Sequence, residues 1–259
     1  MIRGIYTSAS AMVTQMAQQD VISNNLANLN TVGFKRDLAL FRARTPMHML
    51  KMQPAVPGLG APAMINSLGT IYIDAMVDQI SAAHSQGDLK DTDNPSDLAL
   101  RGDGFFVIRD RQGNEVLSRN GEFHVDPQRR LVDGEGNPVL GRAGEILLPD
   151  RGRLTISDDG TVIAGTQEID KLRIVTVPDP MNQLKKQGAN YYVPGPGIPV
   201  FTSRNFTVHQ GFLEMSSASP ITEMVNMISA LRTYEASQRT MTTLDETLGR
   251  AVNDIARPA

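Results

Sequence analysis

Ser219-Pro220-Ile221-Thr222-Glu223-Met224-Val225-Asn226-Met227-Ile228-Ser229-Ala230-Leu231 decides how this chain is read. Ser219 is of the type that caps a helix, Pro220 suits the first helical position, and Glu223 places a carboxylate where the helix dipole favours one. An apolar stripe follows at Ile221, Met224, Ile228 and Leu231, then at Met241, Leu244, Leu248, Ala251 and Ile255. Three-and-four spacing of this kind predicts an amphipathic helix. The register shifts between Leu231 and Met241, with Tyr234 as the bridge, and Pro258 closes the segment. A helix over 220–256 would be about 55 Å long.

The opposite end repeats the design. Ile2, Ile5, Ala9, Met12 and Met16, with Val13 beside them, form a second stripe, and no proline occurs before Pro46. Asn24, Asn25, Asn28 and Asn30 weaken the helix near its end, either as caps and turns or as amides for neighbouring backbones. Asn30-Thr31-Val32-Gly33 supplies the stop.

Between the ends the period changes. Leu98 to Leu100, Phe105 to Ile108, Leu154 to Ile156, Thr161 to Ile163, Leu172 to Val177, Tyr191 to Val193 and Asn205 to His209 are short apolar or β-branched runs. Turn residues separate them, as in a strand-rich domain. Asn120-Gly121 signals a hairpin joining 115–118 to 122–125, and Asp133-Gly134 and Asp159-Gly160 mark further turns. Pro46, Pro54, Pro57 and Pro62 with Gly58 and Gly60 indicate a loop-rich linker, with a short helix available over Pro46–Met52. The predicted fold is α+β: terminal helices forming a coiled-coil-like stalk, and a central β-rich, sandwich- or barrel-like domain. The expected parts are an N-terminal helix and motif over 1–36, a linker and extended segment over 37–85, the β-rich outer domain over 86–213 and the C-terminal helix over 214–259.

Each stripe needs a partner, because a lone amphipathic helix is marginal in water. Two helices on one globular core would satisfy them. So would a seam between subunits, which the length and narrowness of the C-terminal stripe favour.

Composition narrows the function. The chain has 259 residues, 41% of them hydrophobic and 20% charged, enough for a sizeable core. A formal charge of -3 argues against a nucleic-acid binder. Without cysteine there are no disulfides or thiolate sites, and without tryptophan stacking platforms are scarce. No run of eighteen apolar residues predicts a membrane span. Met1-Ile2-Arg3-Gly4-Ile5-Tyr6 lacks the regions of a cleaved signal peptide, so a cytoplasmic protein or a non-cleaving export route is expected.

The search for chemistry finds no constellation. His48, His84, His124 and His209 have no ligand partners at helical spacing. Asp88, Asp91, Asp93 and Asp97 cluster, but a calcium loop counted from Asp91 needs glycine and glutamate where Ser96 and Gly102 stand, so caps and turns are expected. Gly102-Asp103-Gly104 lacks the third glycine of a dinucleotide fingerprint, and a P-loop and a nucleophile elbow are missing. No catalytic residue, metal, cofactor or small-molecule substrate is expected. A structural role is favoured, with a peptidoglycan-acting enzyme as the remote alternative.

Ile22-Ser23-Asn24-Asn25-Leu26-Ala27-Asn28-Leu29-Asn30-Thr31-Val32-Gly33-Phe34-Lys35-Arg36 resembles the N-terminal motif of the flagellar rod and hook protein family. Gln86-Gly87-Asp88-Leu89 and the stretch from Asn94 to Val107 resemble the start of that family's central domain. Gln210 to Ser216, Glu223 to Ile228 and Arg232 to Ala236 resemble its C-terminal helix. The resemblance implies export through the flagellar type III apparatus without a cleaved signal, and location in the basal body. It also implies helical homo-oligomeric assembly with other rod and hook proteins, transmitting torque from motor to hook. The helices would pack as an inner tube with the β-rich domain outside. Asp37 to Leu50 lacks the insertion usual in distal-rod proteins, which favours the proximal-rod type and the paired rod proteins of Gram-positive bacteria; a distal-rod or hook-type subunit is the alternative. The implied assembly interface comprises Ile5, Met12, Asn24, Asn25, Leu26, Asn28, Asn30 and Phe34 at one end. At the other it comprises Met224, Ile228, Leu231, Tyr234, Leu244 and Leu248.

Overall fold

A computed structural model describes residues 2–44, 46–53, 64–72, 74–149 and 153–255. It begins with helix α1 (Ile2–Ala27), followed by strands β1 (Asp37–Ala43), β2 (Pro46–Gln53), β3 (Met64–Tyr72) and β4 (Ala75–Ala82). Next come β5 (Leu89–Asp91), β6 (Leu98–Gly102), β7 (Phe105–Arg109), β8 (Glu115–Ser118), β9 (Phe123–Val125) and β10 (Leu131–Asp133). Strands β11 (Leu154–Ile156), β12 (Thr161–Ala164), β13 (Gln167–Lys171) and β14 (Ile174–Thr176) precede a single-turn helix, α2 (Pro180–Gln183). The chain ends with β15 (Leu184–Gln187), β16 (Tyr191–Pro194), β17 (Phe201–Thr202), β18 (Phe206–Gln210), β19 (Phe212–Glu214) and the long helix α3 (Pro220–Ile255). The two terminal helices and the β-rich middle are as the two periods predict.

The chain divides into two compact units. The first comprises residues 1–22, 39–80 and 225–259, the second residues 23–38 and 81–224.

In the first unit, α1 and α3 meet where Gly4 faces Leu244; a methyl on Gly4 would lie 2.7 Å from Leu244 Cδ1. Antiparallel β2 and β3 form a hairpin with a bulge between Met49 and Leu50, and β1 pairs with β4. Ser10 ties α1 to this ribbon: its hydroxyl donates to the Ala75 carbonyl at 2.7 Å and accepts from the Ala75 amide at 3.1 Å. The short helix expected over Pro46–Met52 is therefore not formed. Eight residue pairs from Pro46↔Tyr72 to Gln53↔Met64 place that segment in a ladder, where pairing overrides local propensity. Strands are thus found from Asp37 onward, within the stretch 37–85 expected as linker and extended segment. The loop predicted from Pro54, Pro57, Gly58, Gly60 and Pro62 lies outside the described residues, as does the stop at Pro258.

The second unit holds the core. Its largest sheet runs β15-β16-β8-β7-β14-β17, beside a three-stranded sheet β11-β12-β13 and the pairs β18-β6, β19-β5 and β10-β9. Leu98, Leu100, Phe106, Ile108, Phe123, Leu131 and Val208 pack in one cluster, and Phe105, Val107, Leu117, Val175 and Tyr192 in a second. At about 25 cal/mol per Å² of apolar surface removed from water, these clusters are the main source of stability. Two of the predicted turns are found. Gly136 N–H donates to Asp133 O after β10, and Gly160 N–H to Ser157 O between β11 and β12.

Asn120-Gly121 is a correction. β8 pairs with β7 and β16, and β9 pairs with β10, so no hairpin joins β8 to β9. Gly121 is needed for a different reason. Its carbonyl accepts from Leu98 N–H at 2.9 Å, and a Cβ there would lie 1.6 Å from Leu98 O. The dipeptide passes the chain beneath another strand rather than turning it back.

A buried terminal clip and exposed helical stripes

Helix α1 ends as its asparagines suggest. Asn28 Nδ2 donates to Asn24 O at 2.9 Å, Thr31 Oγ1 donates to Asn28 Oδ1 at 3.1 Å, and Gly33 adopts φ +68. This end of α1 belongs to the second unit, and beyond the stop the chain meets the segment before α3. Gly33 N–H donates to Glu214 O at 2.7 Å, Ser217 N–H to Phe34 O at 3.0 Å, and Arg36 N–H to Ser217 Oγ at 3.0 Å. The exit from α1 and the approach to α3 are thus laced together, although about 180 residues separate them along the chain.

An ionic group lies beneath this lacing. Lys35 Nζ is 2.6 Å from Glu214 Oε1, and Arg119 Nη1 is 3.4 Å from Glu214 Oε2. Lys35 and Glu214 are 1% and 0% exposed. The remaining hydrogen-bonding capacity is largely used: Lys35 donates to Ser85 O, Arg119 to Leu100 O and Gly102 O, and Gly87 N–H to Glu214 Oε1. Burial pushes the Lys35 and Arg119 cations down in pKa, and the Glu214 carboxylate opposes it. Two further contacts extend the clip. Lys186 Nζ sits 3.8 Å from the Phe34 ring centroid and 2.9 Å from Asp37 Oδ1, and Arg36 Nε lies 2.8 Å from the buried Glu223 carboxylate.

Phe34 and Asn25, both expected at an assembly interface, are wholly buried within this unit. Asn25 bonds the backbone of Asp37 twice, Nδ2 to Asp37 O at 3.0 Å and Asp37 N–H to Oδ1 at 2.8 Å. Leu26 and Asn28 are half-buried, Asn24 and Asn30 exposed. Sequence reasoning missed Arg119 altogether. Lys35 and Glu214 stood inside the family-like motifs, but nothing local marked them as partners.

The stripes on α3 need a correction. Met227, Ala230, Tyr234, Ser237, Met241, Leu244, Leu248 and Ala251 are buried or half-buried, at strict three-four spacing. Ile221, Met224, Val225, Ile228 and Leu231 are exposed, from 43% at Leu231 to 72% at Ile221. What reads as one stripe with a register shift at Tyr234 is two stripes on opposite faces. At about 100° per residue, Ile228 points well away from the Met227–Tyr234 side. Helix α1 also leaves apolar side chains open: Ile5 and Met12 are half-buried, whereas Tyr6, Val13 and Met16 are 70%, 65% and 52% exposed.

Among the described residues, no group of three or more His, Asp or Glu side chains is placed to hold a metal ion. The Asp91–Asp97 turn is internally bonded: Thr92 Oγ1 donates to Asp97 Oδ2, Asn94 Nδ2 to Asp97 Oδ1 and Asp93 N–H to Asp91 Oδ1. His84 packs edge-on against Phe105 and Tyr192. Among the described residues, no helix is long and apolar enough to cross a membrane.

Apolar stripes left open on the terminal helices define a structural protein made to associate. Comparison with known proteins gives the particular family. A model described as "Flagella basal body rod protein" matches residues 5–35, one described as "Flagellar hook protein FlgE/F/G D1 domain" matches 99–164, and one described as "Flagellar basal body rod FlgEFG protein C-terminal" matches 209–254. The chain is 32% identical to the flagellar basal-body rod protein FlgG of Borreliella burgdorferi, over 98% of both chains. It is also 32% identical to FlgG of Bacillus subtilis, over 98% of this chain and 99% of the relative, and 29% identical to the rod protein FlgF of Caulobacter vibrioides, over 99% of both. The chain belongs to the flagellar basal-body rod proteins, structural subunits of the basal body rather than enzymes.

Proposed function

We propose that this chain polymerises helically, as a homo-oligomer continuous with other axial proteins of the flagellum, and transmits torque along the rod. One observation carries the reading: α3 is apolar on two faces, of which the subunit covers only one, and α1 leaves Tyr6, Val13 and Met16 exposed. A helix apolar on several sides belongs inside a larger packed body. Met224, Ile228 and Leu231 then serve contacts between subunits. Ile5, Met12, Tyr234, Leu244 and Leu248 serve a coiled-coil-like seam inside each one. The clip built on Phe34, Lys35 and Glu214 ties the exit of α1 to the approach to α3.

Residues 1–36 and 214–259 form the stalk in this reading, 37–85 the extended segment and 86–213 the outer domain. A contact between unlike surfaces that does not close into a ring generates a filament. Delivery to the growing rod uses the flagellar export apparatus, as for similar proteins. The test is Ile228→Asp in cells. A charge on a face buried by assembly is costly, so the variant should be folded and secreted yet missing from isolated basal bodies. Normal motility with the variant incorporated would refute the reading.

A further inference from the structure

We infer that Tyr6 of one copy seats in a groove on α3 of a second copy, an assignment that rests on the polymerising reading above. The groove has a volume of about 420 Å³ and is lined by Val225, Ile228, Ser229, Arg232, Thr233 and Ala236. Val225 and Ile228 make it partly apolar, Ser229, Thr233 and Ala236 are small, and Arg232 makes no ion pair among the described residues. An aromatic ring with one polar tip fits that chemistry. The ring takes the apolar wall, the guanidinium lies over or beside it, and the phenol oxygen accepts from the arginine.

Among the described side chains of α1, Tyr6 is the most exposed large apolar one, at 70%. It cannot reach the groove of its own chain. Gly4 sits on Leu244, and Tyr6 lies two residues further on, about 200° around the helix and so turned away from that contact. Arg232 and Ile228 are 12 and 16 residues before Leu244 along α3, about 18 and 24 Å. The occupant therefore comes from another molecule.

The two surfaces also match in length and charge. Tyr6, Val13 and Met16 have the same i, i+7, i+10 spacing as Ile221, Ile228 and Leu231, each spanning about 15 Å. Helix α1 has no charged residue between Arg3 and Asp20, and α3 has none between Glu223 and Arg232. Arg232 is then the charge that the contact covers, and the Tyr6 ring and phenol oxygen are the groups it faces. Because one copy offers the knob and the other the groove, the contact is heterologous and repeats along a filament.

The test places a photo-crosslinking benzophenone side chain at position 6, in the full chain and in flagellated cells. Isolated basal bodies are illuminated and the adducts mapped by mass spectrometry. The expected product has twice the chain mass and joins position 6 to the peptide spanning 225–236. A cross-link to α1, to the same chain or to any other surface would overturn the pairing. In parallel, Tyr6→Phe should enter basal bodies at wild-type level, and Tyr6→Asp at least tenfold less while keeping its helix content. Equal incorporation of Tyr6→Asp would also overturn it. If the wild-type chain itself were missing from basal bodies, the polymerising reading would fail first, a result separable from a misplaced cross-link.

Discussion

Lys35 and Glu214, 179 residues apart, meet at 2.6 Å with almost no solvent at either side chain. Arg119 shares the carboxylate, leaving one buried anion between two buried cations. Such a group is poor evidence of net stability, since desolvation offsets much of the attraction. Its consequence is an asymmetry: taking away the single anion strands both cations. Glu214→Gln should destabilise the second unit by about 3–5 kcal/mol, read as a fall in the urea midpoint at unchanged slope. A midpoint within error of wild type would refute the central place given to Glu214.

Gly33 should tolerate no side chain. Its φ is +68, and a Cβ would lie 2.4 Å from the Asn120 amide nitrogen, a backbone atom with little freedom to retreat. Gly33→Ala therefore combines a left-handed backbone penalty of about 1 kcal/mol with a clash that must displace the clip. A loss of more than about 2 kcal/mol is expected in chemical denaturation. Gly113, also at positive φ but with open space around it, is the control, and Gly113→Ala should cost only the backbone part.

The terminal helices were legible because their signals are local: Ser219 and Pro220 open α3, and Gly33 stops the α1 segment. Most strands of the second unit were legible for the same reason. The partners were not. Asn120-Gly121 has the composition of a hairpin turn, but the fold uses its glycine to pass beneath Leu98, a contact 23 residues distant. The β1–β4 ribbon is specified by pairing between 37–53 and 64–82, and no window of sequence contains both sides. Likewise Ile228 and Tyr234 lie on one helix, and only the folded partner shows which of them is covered. The clip is the extreme case, since Lys35, Arg119 and Glu214 read separately as ordinary surface charges.

His84 makes the fold sensitive to acid. Burial, reinforced by the nearby Lys35 and Arg119 charges, pushes its imidazole from 6.5 down to about 4. The unfolded chain therefore binds a proton that the folded chain refuses between those two values, and stability rises with pH across that window. The contribution is complete above about pH 6.5, declines as pH falls towards 4, and is flat below. Its size is roughly 2–3 kcal/mol, allowing for the part of the ring that water still reaches. His84→Phe, which keeps an aromatic ring against Phe105 and Tyr192, should flatten that portion of the stability curve measured by urea titration from pH 4 to 7. An unchanged slope would mean that the imidazole titrates normally in the folded state.

Asn25 separates the chain's own fold from assembly. Its amide completes two bonds to the Asp37 backbone in a site it fills almost completely, 1% exposed. Asn25→Leu removes both bonds and leaves the Asp37 N–H and C=O without those partners, at a cost of about 1–3 kcal/mol for each group left unpaired. Asn25→Asp should be less harmful to the amide side, since the carboxylate still accepts from the Asp37 N–H, but it loses the donor and adds a charge beside the Asp37 carboxylate. The loss should therefore appear in the isolated subunit, as a lower thermal midpoint before any rod is formed. Asn24, exposed one position earlier on the same helix, offers the contrast. Asn24→Ala should leave the midpoint of the free subunit within about 0.5 kcal/mol of wild type, the ordinary range for a surface substitution. Equal destabilisation by Asn24→Ala and Asn25→Leu would show that the Asp37 bonds do not hold the helix end to the second unit.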